Sequence, residues 1–249
     1  MALEIGAKPA GQWGDYHSAV LDARSPKEEC GVTALYNYQM GIIVDQNGKR
    51  FLNEGEDFRD NTYVKFSKYI IDHADGLAFS IFDDKMVSRS EFHRAWRPVG
   101  NPYQADTIEE MAEKLGIPPT TLAKTVKEFN AAVQPGELDL DHLDRKHTEG
   151  INPPKSNWAI PVDTPPFIAV PVTGGITFTF GGLKVNGSAQ VINTSGEIIS
   201  GLYAAGEPMG EIFYYNYPGA TSVIRGAVFG RIAGKHAADR IKDIENEGG

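Results

Sequence analysis

Apolar, small and turn-forming residues follow one another over the last quarter of the chain in an order that predicts a strand, a turn and a long helix. Residues 201–205 read Gly-Leu-Tyr-Ala-Ala, which is typical of a buried strand. Glu207 follows that strand, and Gly219 lies in the turn before a helix predicted from about Ser222 to Ile241. Strand, acid, glycine-rich turn and helix N-terminus in this order are typical of a site for a large anionic cofactor.

Two helices are predicted in the middle of the chain. Thr107 and Glu110 have the spacing of a capping box, apolar residues follow at helical spacing, and Gly116 ends the segment. The second helix opens at Pro118-Pro119 and carries its apolar side chains on one face between residues 122 and 133. Together with a strand at 77–83, these helices predict a mixed α/β insertion over roughly residues 60–165.

The segments on either side of the insertion are predicted to be mostly β. Asn47-Gly48 between two apolar runs predicts a hairpin of strands at 41–45 and 49–52. Further strands are predicted at 167–172 and 176–180, with a second hairpin at 190–199. The predicted fold class is therefore α+β or α/β.

Composition and charge narrow the range of partners. The 249 residues carry 24 Lys and Arg against 33 Asp and Glu, a net charge of −9, without a basic cluster, which argues against nucleic acid. Cys30 is the only cysteine, so a disulfide scaffold is excluded, and no His, Asp or Glu spacing predicts a metal site. No apolar run is long enough to span a membrane, and the expected location is the cytoplasm.

Four segments resemble the second half of the FAD-dependent fumarate reductase and succinate dehydrogenase flavoproteins. They are residues 41–54, 180–186, 201–207 and 226–234. Lys155-Ser-Asn-Trp-Ala159 and Tyr215-Asn-Tyr-Pro-Gly219 look most like the tricarballylate dehydrogenase branch, and the second also resembles ketosteroid dehydrogenases. The resemblance implies an FAD-binding domain, residues 1–59 and 166–249, interrupted by a cap domain, residues 60–165, with the substrate between them.

The resemblance also exposes a gap. Members of the family begin with a strand–GxGxxG–helix unit for the FAD pyrophosphate, which this sequence lacks. Residues 1–7, moreover, read as the last turns of a helix that Gly6 ends, so we expect a missing N-terminal half, supplied upstream or by another chain. FAD is the implied cofactor, and its absence from a truncated chain is the alternative.

The cofactor contacts are predicted at the strand end and the helix N-terminus. A carboxylate at Glu207 can accept hydrogen bonds from a ribose or ribityl diol. Free backbone N–H groups and the positive end of the last helix can face the flavin edge that gains charge on reduction. The resemblance implies FAD contacts at seven residues: Gly206, Glu207, Gly219, Ala220, Thr221, Ser222 and Val223.

The substrate positions depart from those of fumarate reductases. Tyr217 stands where those enzymes have a carboxylate-binding arginine, Asn37 near their proton-delivering arginine, and Thr177 and Phe178 near a substrate-binding histidine. We therefore predict catalytic roles for Tyr217, Tyr38 and His17, and substrate contacts for Thr177, Phe178 and Arg94. Arg94 is included because a carboxylate substrate needs cationic partners.

Three functions follow as hypotheses. The first is an FAD-dependent dehydrogenase that desaturates a small carboxylic acid such as tricarballylate, and the second is a ketosteroid-type dehydrogenase. The third is an inactive fragment, or one that depends on a partner such as its other half or an electron-acceptor protein. Strands and a helix that lose their packing partners would favour homo-oligomers or aggregation.

Overall fold

The computed structural model describes residues 1–28 and 33–247, so Cys30 lies outside the described residues. The strands are β1 (Pro9–Ala10), β2 (Tyr16–Asp22), β3 (Ile42–Val44), β4 (Ala78–Phe82), β5 (Tyr103–Ala105), β6 (Phe167–Thr179), β7 (Gly182–Leu183), β8 (Gln190–Ile192) and β9 (Ile198–Tyr203). The helices are α1 (Arg59–His73), α2 (Asp84–Val87), α3 (Ile108–Leu115), α4 (Pro119–Ala132) and α5 (Thr221–Glu247). This mixture of helices and sheets confirms the α/β class.

The chain divides into two compact units. The first consists of residues 1–17 and 176–249, and the second of residues 18–175. The boundaries fall within β2 and β6. The assignment of residues 60–165 to a cap domain stays a prediction.

The second unit contains a mostly antiparallel sheet with the order β2-β6-β4-β3, and β5 also pairs with β6. Helices α3 and α4 cover it, and their apolar faces form one core with the strands. Fully buried members of that core are Ile42, Ile81, Met111, Leu122 and Ala169.

Both predicted helices of this unit are confirmed. The Thr107 hydroxyl accepts the Glu110 N–H at 3.1 Å, and the Glu110 carboxylate accepts the Asp106 N–H at 3.1 Å. Gly116 ends α3 in the left-handed region, with φ +70°. Helix α4 begins at Pro119 and buries the predicted face. The sequence predicted these helices correctly because capping and apolar periodicity depend only on residues of the helix itself.

The predicted hairpin at 41–52 is only half formed. Gly48 closes the turn with φ +75°, but the strand predicted at 49–52 is wrong, because only one bridge, Val44 to Arg50, follows the turn. Glu54 explains the difference. Its carboxylate accepts the Ile43 N–H at 2.8 Å and pairs with the Arg50 guanidinium, so the chain folds back beneath β3 instead of extending beside it.

The strands predicted at 167–172 and 176–180 form one strand, β6, of 13 residues. Thr173, Gly174 and Gly175 lie between the two predicted strands. In the structure, a Cβ at Gly174 would lie 2.5 Å from the Ser67 carbonyl oxygen of α1. The glycine therefore allows the strand and the helix to approach closely, and it does not end the strand.

The first unit contains two antiparallel strand pairs, β1 with β7 and β8 with β9, and helix α5. The hairpin at 190–199 is confirmed. The prediction that the strand at 201–205 is buried is wrong. The strand belongs to β9, and within residues 201–205 only Ala204 is buried; Gly201 is exposed and the other three residues are half-buried. A run of apolar residues indicates a fully buried strand only where both faces of the sheet are covered.

The first residues also differ from the prediction. Leu3–Ile5 form a single 3-10 turn rather than the end of an α-helix, and Gly6 follows it with φ +89°. Of the helices in residues 1–28 and 33–247, none is both long and apolar enough to cross a bilayer.

Candidate active site

Four aromatic side chains of the first unit pack against one another beside the start of α5. His17 stacks on Phe178 with ring centroids 5.1 Å apart and meets the Tyr217 ring edge-on at 4.3 Å. Tyr217 also packs at 5.1 Å from Phe178 and 5.0 Å from Phe213. All four side chains are less than 9% exposed. We call this group the aromatic cluster.

The Tyr217 hydroxyl is fixed at the N-terminus of α5. It accepts the Ser222 N–H at 3.1 Å and lies 2.9 Å from the Ser222 Oγ. The phenol oxygen therefore caps the N-terminus of the helix, a position at which a Ser, Thr, Asp or Asn side chain is usual. A phenol that accepts a hydrogen bond still has a proton to donate. Tyr217 and Ser222, both predicted site residues, thus lie together.

The other N–H groups of the first turn are engaged within the turn. The Thr221 N–H donates to Pro218 O at 3.2 Å, and those of Val223 and Ile224 donate to Ala220 O at 3.2 and 3.5 Å. The expectation that they are free is wrong, because the loop before the helix folds tightly enough to supply its own acceptors. What remains for an anion is the positive end of the helix dipole and the Ser222 hydroxyl.

The predicted FAD contacts lie on accessible parts of this unit. Glu207 is exposed and follows Gly206, which has φ +75°. A Cβ at Gly206 would lie 3.8 Å from the Gly226 Cα, so the loop packs closely on α5. Gly219 and Ala220 are also exposed. A carboxylate acceptor, small residues and a helix N-terminus on one unit fit a flavin nucleotide chemically.

The predicted substrate contacts have different surroundings. Phe178 belongs to the aromatic cluster, whereas the neighbouring Thr177 is exposed. Arg94 belongs to the second unit, where it is exposed on a 3-10 turn at Phe92–Ala95. Within the described ranges, 1–28 and 33–247, no group of three His, Cys, Asp or Glu residues is arranged to hold a metal ion.

Tyr38 belongs to the core of the second unit. It is 1% exposed, and its hydroxyl lies 2.8 Å from the Thr62 Oγ1. Burial raises the pKa of the Tyr38 phenol far above its usual value. At neutral pH this phenol stays protonated, so it can donate a proton or a hydrogen bond but cannot act as a base.

Arg225 is a site residue that was not predicted from the sequence. This residue of α5 is 5% exposed, and its guanidinium lies over the rings of Phe213 at 4.8 Å and Phe178 at 5.6 Å. A charged residue between apolar residues near the start of a helix was the available signal. The pattern did not reveal burial, because arginines in such positions are mostly exposed.

Burial lowers the pKa of His17 from its usual value of 6.5 to about 4. The imidazole is therefore neutral at pH 7 and can accept a proton. In the unfolded chain the same group takes up a proton below about pH 6.5, so the unfolded state binds more protons than the folded state between pH 6.5 and 4.

We expect His17 to weaken folding as the pH falls through this window. The free energy of unfolding of the natural chain should drop between pH 7 and pH 4.5 by more than that of His17→Gln. Carboxylates titrate in both proteins and cancel in the comparison. Urea unfolding at the two pH values measures the drop, and parallel pH profiles for the two proteins would contradict the buried, neutral imidazole.

Comparison with known proteins identifies the family. Residues 23–224 match a family described as FAD binding domain. The chain is 35% identical over 96% of its length to NADH:acrylate oxidoreductase of Vibrio harveyi, covering 23% of that protein. It is 31% identical over 80% of its length to 3-oxosteroid 1-dehydrogenase of Mycobacterium tuberculosis, covering 38% of that protein.

A solved structure agrees with these relatives. The open conformation of a flavocytochrome c3 fumarate reductase superposes with a TM-score of 0.70 at 28% identity, over 96% of this chain and 39% of that one. The chain thus spans well under half the length of each protein. Because the family match covers most of its residues, the chain belongs to the FAD binding domain family of flavoproteins that also includes fumarate reductases and ketosteroid dehydrogenases.

Proposed function

We propose that this chain is the substrate-facing part of an FAD-dependent dehydrogenase that desaturates a small carboxylic acid such as tricarballylate. The observation that carries the proposal is the Tyr217 hydroxyl, fixed at the start of α5 next to the neutral imidazole of His17. Removal of a proton from a carbon beside a carbonyl or carboxyl group requires a base to accept the proton and a hydrogen-bond donor to stabilise the developing negative charge. The two side chains could supply both groups.

The residues that would hold FAD are those predicted from the sequence. Glu207 would accept hydrogen bonds from hydroxyls of the cofactor, Gly206, Gly219 and Ala220 would let it approach the backbone, and Thr221, Ser222 and Val223 would present the positive end of α5. When bound, FAD supplies a hydride acceptor. The helix dipole there favours negative charge by about 0.3–1 kcal/mol.

The chain's own groups would prepare the substrate. The Tyr217 hydroxyl would donate a hydrogen bond to a substrate oxygen, and an imidazole nitrogen of His17 would accept the departing proton. Phe178 and the rest of the aromatic cluster would exclude water, which strengthens both interactions. Thr177, Arg94 and Tyr38 remain proposed contacts, the last as a donor, and residues 60–165 remain a proposed cap.

A ketosteroid-type dehydrogenase is the second candidate. Tyr217-Pro218-Gly219 resembles those enzymes, a 3-oxosteroid 1-dehydrogenase is among the relatives, and a buried aromatic lining suits an apolar substrate. The third hypothesis, a fragment that needs its other half or an electron-acceptor protein, concerns the activity of the isolated chain. The substrate separates the first two, and flavin binding tests the third.

Anaerobic mixing tests the proposal. The FAD-loaded chain is mixed with tricarballylate or with a 3-oxosteroid, and the flavin absorbance band is followed. The proposal predicts bleaching by tricarballylate and none by the steroid. Bleaching by the steroid alone would favour the second candidate. Bound flavin that neither compound reduces would contradict both.

A further inference from the structure

Arg225 is a buried cation in helix α5. Its Nη1 donates to the Met209 carbonyl oxygen at 3.2 Å, and its Nε, also buried, has no acceptor among the described residues. Across the part of the chain that the structure describes, no carboxylate forms an ion pair with it within 4.0 Å. Burial lowers the pKa of this guanidinium, while the Glu207 carboxylate and the Tyr217 phenol favour its charged form.

A buried charge lowers the stability of the fold unless hydrogen-bond acceptors or an opposite charge compensate its lost hydration. A guanidinium stays protonated in proteins, so burial cannot be relieved by loss of the proton. Aromatic faces and one carbonyl oxygen compensate part of the lost hydration. Five N–H donors in a planar fork match a carboxylate better than any other group in a small organic acid.

Arg225 borders the same two rings as Tyr217. The guanidinium carbon lies 4.8 Å from the Phe213 ring centroid and 5.6 Å from that of Phe178. The Tyr217 ring lies 5.0 and 5.1 Å from those rings. The phenol and the guanidinium therefore belong to one cluster within the first unit.

We propose that Arg225 binds a carboxylate of the substrate and supplies the positive charge that this chain lacks at position 217, where it has tyrosine. The inference rests on the proposed function, because it takes the anion to be that substrate's carboxylate. It assigns the two tasks to two residues: Tyr217 donates a hydrogen bond near the reacting carbon, and Arg225 anchors the acid. A bound anionic flavin edge is the other oxyanion that could pair with this guanidinium.

Nuclear magnetic resonance separates these sources. The Nε–H signal of Arg225, assigned by its loss in Arg225→Lys, is followed in the whole chain during three titrations: tricarballylate, its uncharged triamide, and FAD. The inference predicts a saturable shift with tricarballylate and none with the triamide. A shift with FAD alone would overturn it. The absence of a shift with all three compounds would also overturn it, because Arg225 would then only stack on the two aromatic rings.

Calorimetry gives the magnitude. Loss of a hydrogen-bonded charge should weaken tricarballylate binding about 10- to 100-fold in Arg225→Gln. Arg231→Gln, a change at an exposed arginine of the same helix, should leave the affinity unchanged. Equal affinities for all three proteins would contradict the inference. The titration of the natural chain does not depend on Arg225→Gln folding.

Flavin binding in the same samples keeps the two proposals apart. If FAD binds but tricarballylate leaves the Arg225 signal unmoved, the inference fails and the proposed flavoenzyme stands. If tricarballylate shifts the signal but FAD does not bind, the arginine site stands and the proposed function of this chain fails.

Discussion

Tyr217→Phe should lower kcat for substrate desaturation by about 10²- to 10³-fold, the usual effect of removing one donor from a developing negative charge. The change deletes a single oxygen, which accepts the Ser222 N–H at 3.1 Å, and leaves a ring of the same size against His17, Phe178 and Phe213. Stopped-flow reduction of bound FAD by tricarballylate measures the rate of the chemical step directly.

A matched control gives this result its meaning. Tyr214→Phe makes the same change at a tyrosine that is 67% exposed and should leave the rate unchanged. A Tyr217→Phe rate within about twofold of the natural rate would remove Tyr217 from the proposed chemistry.

Glu54→Gln should lower the free energy of unfolding by about 3–5 kcal/mol, the usual cost of leaving one member of a buried ion pair alone. The Arg50 and Glu54 side chains are 5% and 0% exposed, and the Arg50 Nε lies 3.0 Å from the Glu54 Oε1. Glutamine keeps the size and the acceptor for the Ile43 N–H but removes the charge that Arg50 requires. Urea unfolding followed by circular dichroism measures the change.

Glu56→Gln is the matched control for this pair. Glu56 pairs with Lys65 at 2.6 Å, but the two side chains are 41% and 40% exposed, so its loss should cost no more than about 1 kcal/mol. Similar losses for Glu54→Gln and Glu56→Gln would show that Arg50 does not depend on its buried partner.

Elements whose signals are local could be predicted from the sequence. The Thr107 cap, the Gly116 end of α3 and the hairpin at 190–199 each depend on residues close together in the chain. The same holds for the start of α5, where the glycine-rich turn places the helix within one residue of its predicted beginning.

Contacts between distant residues could not be predicted. Lys155 is 1% exposed and donates to the carbonyl oxygens of Gln39 at 2.7 Å and Gly41 at 2.6 Å, and burial lowers its pKa to about 8. Nothing near it in the sequence indicates that environment. Arg225 likewise carries a charge that composition places on the surface.

Some features of the candidate site could also be predicted from the sequence and others could not. Its location at the turn before α5 follows from the order of strand, acid, turn and helix, and the aromatic character of Tyr217 and Phe178 is visible in the sequence. The phenol cap joins residues only five apart, but tyrosine is not among the usual capping residues, so the pattern did not indicate it. The contact of Arg225 with Phe178 depends on β6 and α5 meeting in space.

We propose above all that this chain holds FAD at the start of α5. Titration of the purified 249-residue chain with FAD, followed by quenching of flavin fluorescence, measures that binding. We expect saturable binding of one FAD per chain, weakened by Glu207→Gln but not by Glu197→Gln, which changes an exposed acid of the β8–β9 turn. Absence of saturable binding, or equal weakening by the two changes, would contradict it.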